Sequence, residues 1–180
     1  MKGIFWKEGE SFSNSMSLIA FLLVRYPELG SVRFDPGQKT LLFSFVLIKS
    51  LTKEEFEPFK DKLLLSLNNM TQLQGRESET GTIEVNYAEY DGLTFLEIVR
   101  NIESLTQEEI ALITGIIRES FEEYLLLDQD DTLQEEDAVL QEEMIEHMLE
   151  DLKDSRQEKR LIGFREEGRV LVFNRANLHK

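Results

Sequence analysis

Glu143, His147 and Glu150 are separated by four and three residues, the spacing that lines side chains along one face of a helix. An imidazole between two carboxylates is a plausible donor set for a divalent cation. The chain holds 35 acidic residues and two histidines, however, so a histidine in its acid-rich part meets carboxylates at helical spacing by composition alone, and no metal is expected. Asp128, Asp130 and Thr132 open like a calcium loop. Leu133 then stands where that loop needs glycine, and Val139 where it needs a bidentate glutamate. With carboxylates this dense, no pair can be singled out for acid–base work.

Other chemistries lack their residues. There is no G-x-x-x-x-G-K phosphate loop, no glycine triplet of the dinucleotide type and no G-x-S-x-G elbow. The second histidine, His179, is one residue from the end. The absence of cysteine excludes disulfides, thiol nucleophiles and cysteine-held zinc or iron–sulfur sites. No catalytic residue, cofactor or metal is therefore expected, and an enzyme without a linear motif remains only a third reading.

Two charged stretches carry the functional expectation. From Asp128 to Asp154 there are 12 acidic residues and one lysine, whereas Ser155 to Lys180 hold seven basic and three acidic residues. Glu135, Glu136, Glu142, Glu143, Glu146, Glu150 and Asp151 would form a carboxylate face suited to a basic protein partner. In the second stretch Arg156, Lys159, Arg160, Arg165, Arg169, Arg175 and Lys180 interleave with Phe164 and Phe173, a pattern compatible with RNA or single-stranded DNA. The same cations would instead neutralise the acidic helix if they folded back along it. The net charge of −15 disfavours nonspecific binding to phosphate or to anionic membrane.

The elements that must position these residues follow from periodicity. A chain of 180 residues with 41% hydrophobic content buries about 70% of its unfolded surface as one domain. Asn14 to Tyr26 reads as a helix stopped by Pro27. Val32 and Phe34, the turn Asp35-Pro36-Gly37-Gln38 and Thr40 to Ile48 read as a hairpin. Its second strand is apolar on both sides and therefore central. Thr52 with Glu55 forms a capping box, and Phe56, Phe59, Leu63 and Leu67 give the helix its buried stripe. Thr71 to Gly81 reads as a loop. Ile83, Val85 and Tyr87, the turn Asp91-Gly92 and Thr94 to Ile102 read as a second hairpin. Thr106 with Glu109 then opens a helix striped by Ile110, Ile113, Ile117 and Phe121.

Ser50 to Glu55 and Ser104 to Glu109 agree at five of six positions with an offset of 54, which reads either as internal duplication or as convergence of two helix starts. A helix from Leu133 to Lys153 has the stripe Leu140, Met144, Ile145, Met148, Leu149 and Leu152. Arg160 to Asn174 reads as a hairpin with the three-residue turn Glu166-Glu167-Gly168.

The expected fold is α+β: an antiparallel sheet of about four strands built from two hairpin–helix units, preceded by an N-terminal helix and followed by the acidic helix and a C-terminal hairpin. Residues 1–127 form the core, and residues 128–180 pack on it or on a second chain. Neither a signal peptide nor an apolar run of spanning length is read, so the expected setting is cytoplasmic. The expected role is a non-enzymatic interaction or regulatory module for a basic protein, with nucleic-acid binding at Arg160, Arg165, Arg169 and Arg175 as the alternative. Homo-oligomerisation through the C-terminal third is compatible with either.

Overall fold

The structure, a computed structural model, describes residues 4–6, 14–75, 83–127, 135–154 and 159–174. Its elements are β1 (Ile4–Trp6), α1 (Asn14–Arg25), β2 (Ser31–Asp35), β3 (Thr40–Leu47), α2 (Lys53–Leu73), β4 (Ile83–Tyr90), β5 (Leu93–Asn101), α3 (Gln107–Phe121), α4 (Glu135–Asp154), β6 (Leu161–Glu166) and β7 (Arg169–Asn174). The chain is thus mixed α+β, with the helices and strands of both hairpin–helix units where periodicity puts them.

Local chemistry sets the turns. The Asp35 carboxylate accepts the Gly37 and Gln38 N–H groups at 2.9 and 3.3 Å, closing the first hairpin. Asp91-Gly92 and Glu167-Gly168 both hold positive φ at both positions, the geometry of two-residue turns that match strand twist. The last hairpin therefore turns on two residues, with Glu166 opposite Arg169, and not on three. Thr52 and Glu55 close a reciprocal capping box on α2. That helix runs on to Leu73, through the start of the segment expected to be a loop. At α3 only half the box forms. Thr106 accepts the Glu109 N–H at 3.2 Å, but the Glu109 carboxylate turns away to the buried Arg100 of β5, a second contact of the pair being 2.8 Å. The two units differ at the position where their sequences agree best.

The expected four-stranded sheet is corrected to seven strands in the order β1-β7-β6-β2-β3-β5-β4. Six are antiparallel, and β1 lies parallel to β7. The cause is the free edge of β2, whose unpaired backbone groups are completed by β6 from Ser31↔Phe164 to Phe34↔Leu161. The C-terminal hairpin is part of the main sheet.

One face of this sheet makes the core. Val32, Phe34, Leu41, Phe43, Phe45, Leu96, Ile98, Leu161, Val170 and Val172 are buried there. α1 packs on β6 and β7. At the other end Phe56 of α2 meets Tyr87 of β4 with ring centroids 4.4 Å apart, and Phe59 meets Phe121 of α3 at 5.0 Å. α4 lies over α1, so α1 is apolar nearly all round: Leu18, Ile19, Ala20, Leu22 and Leu23 are all buried.

The close approach of α1 to the sheet depends on Gly163 of β6. A Cβ there would stand 2.3 Å from Ile19 Cγ2 and 2.9 Å from Leu23 Cδ1, deep inside contact distance. Gly163→Ala is expected to lift α1 off the strand and cost about 1–3 kcal/mol. In urea unfolding this would lower the midpoint while the slope stays unchanged; an unaltered midpoint would show that the helix yields without loss.

Candidate interaction face

Side chains alternate across each strand, so the residues between the core positions share the opposite face. Pairing registers arrange them in rows. One row runs Phe173, Ile162, Arg33, Leu42, Val99, Glu84, and the next runs Leu171, Phe164, Ser31, Ser44, Glu97, Asn86. Val46, Phe95 and Ala88 form a third, shorter row. The burial pattern and packing of the described helices put them on the other side of the sheet. Leu42, Val46, Phe95, Val99, Ile162, Phe164, Leu171 and Phe173 are half-buried, an unusual density of apolar groups for a sheet face that no described helix covers. Phe164 and Phe173 stack with centroids 5.7 Å apart and planes at 26°.

Between the apolar groups runs a polar diagonal from exposed Arg33 through Ser31 and Ser44 to Glu97. No described hydrogen bond or ion pair engages Arg33 or Glu97, although Arg25, Lys49, Lys62, Arg100 and Arg118 each hold a carboxylate. Beside them lies a recess of about 470 Å³, lined by Gly30, Arg33, Ser44, Val46, Tyr90, Phe95 and Glu97 among others. It is floored by strand side chains and opens to solvent. Gly30 sits at its end, where an added Cβ would come within 3.2 Å of Val46 Cγ2. A second cavity, of about 70 Å³ beside Arg100 and Glu109, has room for little more than water. The arrangement offers apolar area and two unpaired opposite charges, a combination suited to docking.

Comparison of the chain with family models, with curated proteins and with solved structures returned no match.

The carboxylates of α4 are divided between the interior and solvent. Glu142 pairs with Arg25 of α1. Glu146 accepts the backbone N–H of Gln107 at 2.8 Å and so caps α3, whose first amides have no partner within the helix. The Gln107 side chain donates to the Tyr26 hydroxyl at 2.9 Å, and burial pushes that phenol above its ordinary pKa despite this bond. Glu150 meets Lys153 of its own helix at 3.0 Å. Glu143, His147 and Asp151 are exposed, while the side chains of Glu135 and Glu136 lie outside the described residues. Ile145, Leu149 and Leu152 are buried as the stripe requires, but Leu140 is 57% exposed. Among the described residues no group of three carboxylate or imidazole side chains is placed to hold a metal.

The expected cationic site is dispersed. Arg165 lies on the core side of β6, where its guanidinium donates to the carbonyls of Leu29 at 3.0 Å, Tyr26 at 2.6 Å and Leu23. It closes the carboxyl end of α1, where helix carbonyls lack partners. Arg160 approaches Asp35 at 3.8 Å, and Arg169 stands opposite Glu166 at the hairpin turn. Arg156, Arg175 and Lys180 lie outside the described residues. Sequence reasoning overlooked Arg33, Glu97 and the recess. The available signal was the apolar second side of β3, read there only as a mark of centrality. Among the described residues no helix is long and apolar enough to cross a membrane.

Arg165→Ala removes the donors to the carbonyls of Leu23 in α1 and of Tyr26 and Leu29 in the turn after it, and is expected to destabilise the fold by about 1–3 kcal/mol. Arg165→Lys, lacking the planar fork, restores only part of this. Arg33→Ala is expected to change stability by less than about 0.5 kcal/mol, since no hydrogen bond or ion pair engages it among the described residues. Parallel urea titrations test the contrast, and equal losses at both arginines would remove the distinction between anchor and free cation.

Proposed function

We propose that the chain is a non-enzymatic protein-interaction module whose partner docks on the uncovered face of the sheet. The observation that carries this reading is the inequality of the two faces. One is closed by helices, and the other presents eight half-buried apolar side chains around the unengaged Arg33 and Glu97. Six described strands of this face, at about 4.8 Å spacing and roughly 17 Å length, span on the order of 400 Å². That is a large share of the about 800 Å² per partner in a standard interface.

Two facts favour this face over the carboxylates of α4. Glu142 and Glu146 hold the helix to the core, which leaves Glu143, Glu150 and Asp151, among the described side chains of that face, as a smaller and more solvated patch. Apolar area with embedded charges also supplies both affinity and orientation, whereas exposed carboxylates mainly accelerate encounter. Arg165 is occupied by backbone carbonyls, so the cationic hairpin contributes little to phosphate binding in this reading. The absence of cysteine supports a reducing, cytoplasmic setting.

Hydroxyl-radical footprinting of the intact chain, purified and dilute or added to concentrated native extract, tests the proposal. Oxidation of Tyr90, Phe95, Phe164 and Phe173 is expected to slow several-fold in extract, while exposed Tyr124 keeps its rate. Equal rates at all five rings in a chain that is also monomeric at every concentration would overturn the reading, as would protection that nuclease treatment abolishes.

A further inference from the structure

Resting on that reading, we infer that the occupant of the open face is a second copy of this chain, docked face to face about a two-fold axis that lies in the interface and crosses over β3 between Leu42 and Ser44.

Charge complementarity is the first ground. With a net charge of −15, two copies repel over most approaches. Exposed acids crowd the helical side, among them Glu54, Glu57, Asp61, Glu119, Glu122, Glu123 and Glu143. The open face is closer to neutral, with Arg33 set against Glu97 and Glu84. A closed two-fold contact is self-complementary: what one copy offers at one point it must accept at the symmetric point. Arg33 and Glu97 meet that condition. They lie two strands and two residues apart on the same face, about 12 Å by strand geometry. A two-fold axis at right angles to the line joining them places each Arg33 over the Glu97 of the other copy, making two ion pairs from groups that no described hydrogen bond or ion pair engages.

The second ground is that the same rotation matches apolar with apolar. In the flat lattice of the sheet, Phe164 and Ile162 flank Arg33 on the β6 side, and Val46 and Phe95 lie beyond Glu97 along the strands. The rotation that superposes Arg33 on Glu97 carries Phe164 onto Val46, Ile162 towards Phe95 and Phe173 towards Ala88. Phe164 of one copy thereby meets the 470 Å³ recess of the other, an opening with room for its ring. No partner of different sequence is required to satisfy both conditions.

Sedimentation velocity of the purified full chain over a wide concentration range tests the inference, with far-ultraviolet dichroism as a check on folding. The wild type is expected to dimerise, and Phe164→Ser to weaken the dimer. Arg33→Glu and Glu97→Arg each place like charges face to face and should raise the dissociation constant by at least about tenfold. R33E and E97R combined in one chain restore opposite charges and should recover most of the affinity. A wild type that stays monomeric at every concentration overturns the inference, and so does a charge swap that fails to rescue. Monomeric behaviour together with protection of Phe95 and Phe164 in extract would reject the second copy while leaving the docking face intact. Monomeric behaviour with no protection would reject both.

Discussion

The backbone ladder between β2 and β6 joins two parts of the chain that are more than 100 residues apart, and the rest of the structure depends on it. Without it β2 is an open edge and the C-terminal hairpin has no sheet to belong to. With it, β6 carries Gly163 beneath Ile19 and Leu23, and α1 settles at close range. Arg165, two residues on and of the same strand parity, then reaches the carbonyls that end that helix. Register thus decides chemistry. A slip of one residue would turn Arg165 to the open face and leave the end of α1 without its donors.

A strongly acidic chain keeps a helix as acidic as α4 attached by combining apolar burial with directed charge. Burial of Ile145, Leu149 and Leu152 supplies the apolar contact, and two of the helix's own glutamates supply direction. Glu142 meets Arg25, and Glu146 meets the first amide of α3. Each carboxylate here meets a full or partial positive charge close at hand, where screening by water and salt is weaker than on the open surface. Part of the negative charge therefore stabilises packing, and the remainder faces solvent.

Much of this was legible in the sequence. Alternation and turn chemistry located four of the strands in the core hairpins, because Asp35, Asp91 and Gly92 have few alternatives in those places. Capping residues located α2 and α3 for a similar reason. β1 escaped because Ile4-Phe5-Trp6 is too short to show a period. The size of the sheet escaped because alternation tells a strand which face to bury but not which neighbour to pair with. Arg165 was read as a nucleic-acid contact or as a counter-charge to the acidic helix, although its parity with Leu161 marked it as inward. For the candidate face, the apolar second sides of β3 and β5 were visible in Leu42, Val46, Phe95 and Val99. Which side of a sheet receives the helices is a tertiary outcome that no local pattern encodes.

An apolar sheet face that no described helix covers would ordinarily invite indiscriminate association, and the layout of this one bears on why it need not. Its hydrophobic groups are spread around the polar path Arg33, Ser31, Ser44, Glu97, with Ile162, Phe164, Leu171 and Phe173 on the β6–β7 flank, Val46, Phe95 and Ala88 at one end of the strands, and Leu42 and Val99 beside Arg33. A partner that covers the apolar groups must also bury the ends of that path, and leaving either charge without a counterpart in the interface is costly. In the docking proposed above, the two charges act as a filter that admits only an occupant with a carboxylate and a cation at matching separation, which would turn a sticky surface into an oriented one.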